Sequence, residues 1–258
     1  MKRDVALVLS SGSSRGLAHI GAIEALEARG YKITSVAGCS MGAIVGGMYA
    51  AGKLAELKTW FAEMTRRKML ELTDFALKNG YLVKGKKIME ALGELIPDMR
   101  IEDLRIPLAL VATDMTCGKE IVFREGNLNR AIRASFSIPA VLQPVCEGDM
   151  LLMDGGIANP LPLNRVERHE GDILVSCNVS APWVRTAQIN SLTVLNKVSD
   201  VMIWQLGELM KQLCPPDINA DVGMDEFGSF DYDKAEEIIR FGYDKMNAAI
   251  DAYENKQG

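Results

Sequence analysis

Histidine is nearly absent: 258 residues contain only two, His19 and His169. That scarcity restricts any chemistry built on an imidazole base or on clustered imidazole metal ligands. The five cysteines (Cys39, Cys117, Cys146, Cys177, Cys214) form an odd set with no CxxC pair and no metal-ligand spacing. They read as reduced thiols, which predicts a cytoplasmic protein. No metal and no cofactor is implied. No apolar run is long enough to span a bilayer. The one near the amino terminus, Val5 to Leu9, stops after five residues, too short for a secretory core and better suited to a buried strand. A Gly-Lys-Ser/Thr phosphate loop is missing. A net charge of −5 speaks against general nucleic-acid binding. Low-complexity linkers and internal repeats are missing too, so a single domain over 1–258 is expected.

What is present is ample apolar side chain, 48% of residues against 24% charged, enough for a large core. The first fifty residues alternate regularly. Val5 to Leu9 reads as a buried strand, Gly16 to Arg29 as a helix with Leu17, Ile20, Ile23 and Leu26 on one face, Ile33 to Ala37 as a second strand, and Met41 to Ala51 as a second helix. Such alternation predicts an α/β three-layer sandwich, a mainly parallel sheet covered by helices on both faces. Further strands are expected at 107–113, 120–123, 150–153 and 172–177. Further helices are expected at 54–69, 86–96, 127–136, 191–213 and 232–253. A Pro/Gly/Asp-rich loop, Pro215 to Gly228, is long enough to be mobile or functional.

At the junction of the second strand and second helix stands Gly38-Cys39-Ser40-Met41-Gly42. A Gly-x-Ser-x-Gly pattern arises by chance in roughly a tenth of chains of this size. Its position is what gives it weight. A serine on a sharp strand-to-helix turn projects its hydroxyl, and the helix beginning at Met41 aims its positive end at developing negative charge. The plainer reading is a glycine-rich helix start with Ser40 as an N-cap.

A serine nucleophile needs a base. His19 lies one turn into the first helix, where a packed histidine is expected. His169 sits in Arg165-Val166-Glu167-Arg168-His169-Glu170-Gly171, which reads as an exposed helix end. A Ser40–Asp154–His169 triad would follow the chain order of α/β-hydrolases, although those enzymes place the serine after more strands. The alternative is a carboxylate acting directly. Asp154 ends a short apolar strand and precedes two glycines, and burial would raise its basicity. Asp114 is the rival, more simply read as a turn-forming aspartate before Gly118.

Together these segments resemble the patatin-like phospholipases, in particular bacterial proteins similar to neuropathy target esterase. Ser10 to Gly21 is similar to that family's glycine-rich oxyanion loop and the helix after it. Gly38 to Gly42 is similar to its nucleophile elbow, and Ala112-Thr113-Asp114 and Ala131 to Pro139 to further family segments. Asp154-Gly155-Gly156 resembles the motif of the catalytic aspartate, and Asn159-Pro160-Leu161-Pro162 its sequel. The resemblance implies Ser40 as nucleophile and Asp154 as base of a dyad without histidine. It implies an oxyanion hole from Ser11, Gly12, Ser13, Arg15 and Gly16, and a lipid or other ester as substrate.

One departure stands out. The family's loop usually reads Gly-x-Gly-x-x-Gly, and the first two glycines are here Ser11 and Ser13. A serine held at positive φ costs on the order of 1 kcal/mol or more. The same substitutions weaken any dinucleotide-binding reading. They also motivate a second expectation, a lipid- or partner-binding member with a weakened site. A third, acyl transfer to an acceptor other than water, uses the same residues.

Charge is spread unevenly. Lys53 to Lys87 carries nine basic and four acidic residues, and Cys214 to Gly258 four basic and eleven acidic. Within the first stretch Met69, Leu70, Leu72, Phe75, Leu77, Tyr81 and Leu82 lie among lysines and arginines. Residues 65–85 are therefore the expected lid or transient, peripheral membrane contact, with a solvated helix surface as the plainer reading.

Overall fold

The computed structural model describes residues 3–65, 67, 68, 71, 86–139, 141–181 and 194–257. Among the described residues, eight strands form one sheet: β1 (Asp4–Leu9), β2 (Lys32–Cys39), β3 (Leu108–Asp114), β4 (Lys119–Phe123), β5 (Val145–Glu147), β6 (Met150–Asp154), β7 (Ile173–Asn178) and β8 (Ile218–Asp221). The helices named among the described residues are α1 (Ala18–Ala28), α2 (Met41–Ala50), α3 (Leu54–Ala62), α4 (Lys86–Gly93), α5 (Leu128–Ser135), α6 (Val194–Leu213) and α7 (Ala235–Gln257). The sheet order is β5-β6-β3-β2-β1-β7-β8, with β4 also paired to β3. Pairs β1–β2, β1–β7, β2–β3 and β7–β8 are parallel, whereas β3–β4, β3–β6 and β5–β6 are antiparallel.

The layering follows from the period of two along a strand. On β1, Val5, Leu7 and Leu9 point into the larger core with α1, α2 and α7, through residues such as Ile20, Ile23, Ile44 and Ile239. Ala6 and Val8 point the other way, into a smaller cluster with Ala37, Ala109, Leu161, Leu163 and Leu174, against which Met210 of α6 packs. Both faces of β1 are covered, which is why its sequence is a continuous apolar run rather than an alternating one. Burying each of the large side chains contributes about 1.5–3 kcal/mol relative to exposure. On its outer side α6 leaves Val198, Met202, Leu209 and Leu213 exposed.

Several boundaries differ from the sequence reading. The first helix begins at Ala18, because Ser13–Leu17 forms a 3-10 turn in front of it. α3 ends at Ala62 rather than running on to Met69. Two strands were not anticipated. β5 has three residues, and β8 lies inside the stretch Pro215 to Gly228 that the sequence suggested was loop. Ile218 and Ala220 are buried on one side of β8, but four residues are too few to show alternation above the surrounding Pro, Gly and Asp. In the expected lid, Thr65, Arg67, Lys68 and Glu71 are described, while all seven of its apolar residues lie outside the described residues.

The pairing around β3 creates the site. β2 runs alongside β3 from Val36–Leu108 to Cys39–Val111 and then stops. β6 arrives from the opposite direction, pairs Leu152 with Asp114, and ends at Asp154 opposite Ala112. β4 occupies the other edge of β3 throughout, from Leu110 to Asp114. β2 and β6 therefore share one edge of β3 and meet end to end. The residues at their carboxyl ends, Ser40 and Asp154, are brought together by backbone register.

Among the described residues no helix is long and apolar enough to cross a membrane, and all five cysteines are unpaired.

Candidate active site

Ser40 follows the last residue of β2 and precedes α2. Its backbone has φ 56° and ψ −119°, a sharp turn disfavoured for a side-chain-bearing residue. Such strain costs about 1–3 kcal/mol and persists only where the surroundings enforce it. Three bonds enforce it here. The Ser40 N–H donates to Ser135 Oγ at 2.9 Å, and the Ser40 carbonyl accepts from the amides of Ala43 at 2.9 Å and Ile44 at 3.2 Å. The glycines on either side allow the turn to press against its neighbours. A Cβ on Gly42 would run into the carbonyls of Leu9 and Ser10, and one on Gly38 into the carbonyl of Gly42. No acidic residue lies in the first turn of α2, so its positive end is left uncompensated by the helix itself.

Asp154 ends β6 and caps the short 3-10 turn Gly155–Ile157. Its Oδ1 accepts the Gly156 N–H at 2.8 Å, and its Oδ2 accepts the Ser40 hydroxyl at 2.5 Å. The backbone is fixed on both sides as well. The Asp154 N–H donates to the Ser137 carbonyl at 2.9 Å, and the Asp154 carbonyl accepts from Thr113 Oγ1 at 2.9 Å. Gly155 packs so closely that a Cβ would strike the Val111 carbonyl and the Cys39 sulfur. Burial lifts the Asp154 carboxyl from its ordinary value to about 6, with the bonds from Ser40 and Gly156 holding it back. Cys39, beside Ser40, is no rival nucleophile: burial, then the nearby Asp154 charge, pushes its thiol well up, so it stays protonated.

The loop Ser10 to Gly16 lies against the elbow, where a Cβ on Gly16 would meet Met41. It is stitched to two other segments. The Ser11 N–H donates to the Pro160 carbonyl at 2.8 Å, and the Ser11 carbonyl accepts from Ser10 Oγ and Ser180 Oγ, each at 3.0 Å. Ser14 Oγ donates to the Gly228 carbonyl at 2.7 Å. Arg15 donates from Nε to the Val179 carbonyl at 3.1 Å and from Nη1 to the Phe227 carbonyl at 3.3 Å. Its guanidinium is thus a clamp between loops, and burial lowers its pKa. Gly12 sits where a Cβ would enter the Val179 side chain. Among the described residues, no backbone carbonyl engages the N–H of Gly12 or Ser13. Positive φ falls on one of the two serines only: Ser13, at 53°.

The other sequence candidates lie elsewhere. His19 is fully buried, its Nε2 sharing a 2.9 Å hydrogen bond with the Ser10 carbonyl. Burial lowers its pKa to about 4, partly offset by that bond, so the ring is neutral. His169 is in an irregular segment, not at a helix end, with a side chain 62% exposed and Glu167 3.7 Å away. Exposed in this way, it stands apart from the buried pair Ser40–Asp154. Asp114 is held in a turn by Thr116, Cys117 and the Leu151 N–H. Its carboxyl is lowered to about 2, chiefly by the Thr116 amide.

Sequence reading assigned no role to Ser135, Ser137 and Thr113, which hold the backbones of Ser40 and Asp154. The segment Ala131 to Pro139 stands out in the sequence as a motif. Two of its serines separated by one residue, at the end of a helix, were the available signal.

Fold and site together define an α/β protein with a serine elbow paired to a buried aspartate. The profile of the family described as patatin-like phospholipase matches residues 7–166, and the chain belongs to that family. An uncharacterised NTE family protein of Mycobacterium tuberculosis is 43% identical over 176 residues, covering 68% of this chain and 49% of that protein. Patatin-like phospholipase domain-containing protein 6 of Homo sapiens is 35% identical over 164 residues, 61% of this chain and 12% of that protein. The chain therefore spans about half the length of its mycobacterial relatives. Among solved structures, VipD from Legionella pneumophila superimposes with a TM-score of 0.50 at 14% identity, over 98% of this chain and 67% of that one, a likeness of fold.

Proposed function

We propose that this chain is a serine acyl hydrolase acting on fatty-acyl esters of lipids, with Ser40 as nucleophile and Asp154 as its only base. The observation that carries the reading is the 2.5 Å hydrogen bond from Ser40 Oγ to a buried Asp154 whose carboxyl is raised to about 6. A carboxylate made more basic by burial accepts the hydroxyl proton as the oxygen attacks an ester carbonyl. The alcohol then leaves with that proton, and water activated by Asp154 releases the acid. Developing negative charge on the carbonyl oxygen falls to the amides of Gly12 and Ser13 and to the amino end of α2. Membership of the patatin-like phospholipases supports a lipid ester as substrate.

The test is hydrolysis of p-nitrophenyl esters and lysophospholipids by the wild type, Ser40→Ala and Asp154→Asn, with fluorophosphonate labelling alongside. Both substitutions should abolish turnover, and the probe should attach at Ser40. Full activity in pure Ser40→Ala protein would end the reading. A folded wild type that neither turns over nor labels would favour a binding protein, the outcome that the strained Ser13 argues for.

A further inference from the structure

Among the described residues, four buried side-chain polar atoms lack a hydrogen-bond partner, and one of them, Ser11 Oγ, stands beside the dyad. The residue is 3% exposed. Its peptide groups are committed, the N–H to Pro160 and the carbonyl to Ser10 and Ser180. The hydroxyls around it are in use too: Ser10 Oγ also accepts the Val179 N–H at 2.9 Å. Ser11 Oγ is buried with no partner among the described residues, an arrangement that is destabilising in a hydroxyl and that a water or substrate atom would relieve.

Its position indicates which partner. The point where a Cβ on Gly156 would stand is 3.0 Å from Ser11 Oγ and 3.0 Å from Asp154 Oδ1. The two oxygens are therefore no more than twice that distance apart, a span that one water molecule bridges. Oδ1 is the carboxylate oxygen turned away from Ser40, and the Gly156 N–H occupies only one of its lone pairs. Ser40 and Asp154 are themselves 2% and 6% exposed, so all three oxygens lie in one closed cluster that a substrate must open.

We propose that Ser11 Oγ and Asp154 Oδ1 together seat the water that releases the acyl group, an inference that rests on the hydrolase reading above. One hydrogen of the water is accepted by Asp154 and the other by Ser11, which turns an oxygen lone pair toward the ester carbonyl of acylated Ser40. The water oxygen bonds to the carbonyl carbon and Asp154 takes its proton. The bond from that carbon to Ser40 Oγ then breaks, the proton passes from Asp154 to Ser40, and the carboxylic acid departs. A seated water also favours hydrolysis over transfer to another acceptor.

The experiment follows acylation and deacylation separately in the wild type, Ser11→Ala and Ser11→Gly, using rapid mixing with p-nitrophenyl butyrate. Acylation is read from nitrophenolate release and from fluorophosphonate labelling. Deacylation is read as decay of the acyl-enzyme by intact mass after acid quenching. Both variants should lose more in deacylation than in acylation, releasing the acyl group about 3- to 10-fold more slowly, the rate equivalent of one neutral hydrogen bond. Ser11→Ala should not melt below the wild type, because an unpartnered hydroxyl has been removed. Unchanged decay would overturn the proposal. So would an equal loss in both steps, which would place the hydroxyl on the oxyanion or in the loop's framework. A wild type that neither acylates nor labels at Ser40 would instead bring down the hydrolase reading, and this inference with it.

Discussion

The Ser135 hydroxyl accepts the amide hydrogen of Ser40 at 2.9 Å, linking the end of α5 to the strained turn after β2. Two residues further on, the Ser137 carbonyl accepts the amide of Asp154. One short segment thus holds the backbones of both residues whose side chains meet.

Ser135→Ala tests that support. It would leave the Ser40 amide buried without an acceptor, at about 1–3 kcal/mol of stability. Because small misplacements of a reacting group are costly, esterase turnover should fall about tenfold or more while Ser40 remains present. Thermal melting and kcat for a p-nitrophenyl ester measure the two effects, and a variant matching the wild type in both would show the contact to be idle.

The rate should depend on pH through Asp154. Its carboxyl must be ionised to accept the Ser40 proton, and burial lifts it to about 6. We expect kcat/KM to be flat above that pH and to fall tenfold per unit below it. A profile whose acid limb lies near pH 4 would mean that the carboxylate is not desolvated in the working enzyme.

The same shift predicts a gain in stability on neutralisation. A carboxyl that binds its proton more tightly when folded contributes stability below pH 4, and that contribution is lost as pH rises through about 6. At pH 8 the wild type therefore carries a destabilising buried charge. Asp154→Asn should be more stable there by on the order of 2–3 kcal/mol, with the difference shrinking toward pH 4. Urea denaturation at several pH values checks both sign and trend, and activity should be lost throughout.

His169→Gln distinguishes dyad from triad. The ring is exposed and paired with Glu167, so its loss should leave kcat/KM within about twofold and melting within about 0.5 kcal/mol. A large fall in rate would revive the histidine as base.

Much of this fold was legible from β1 to α2, because strands buried on both faces show as unbroken apolar runs and the turns between elements are marked by small residues. Ser40 and Asp154 were legible for the same reason. Each ends such a run and is followed closely by glycine, and two histidines left little else to act as base. β5 and β8 were illegible, since three or four residues carry no measurable period. The serines at 135 and 137 were visible as a motif and silent as to purpose, because their partners lie far away in sequence.

By itself, the sequence singled out Ser40 and Asp154 as candidates and marked the strands that each of them follows or ends. Only the tertiary structure decided that β2 and β6 share one edge of β3 and stop one register apart, which sets Ser40 and Asp154 at 2.5 Å. It also decided that Ser13 takes the strained backbone while Ser11 keeps a buried hydroxyl without a partner among the described residues. The physical reason is common to both. Strand register, backbone strain and hydrogen-bond satisfaction depend on neighbours from about forty to more than a hundred residues away, and a local pattern cannot encode which of two serines those neighbours will bury.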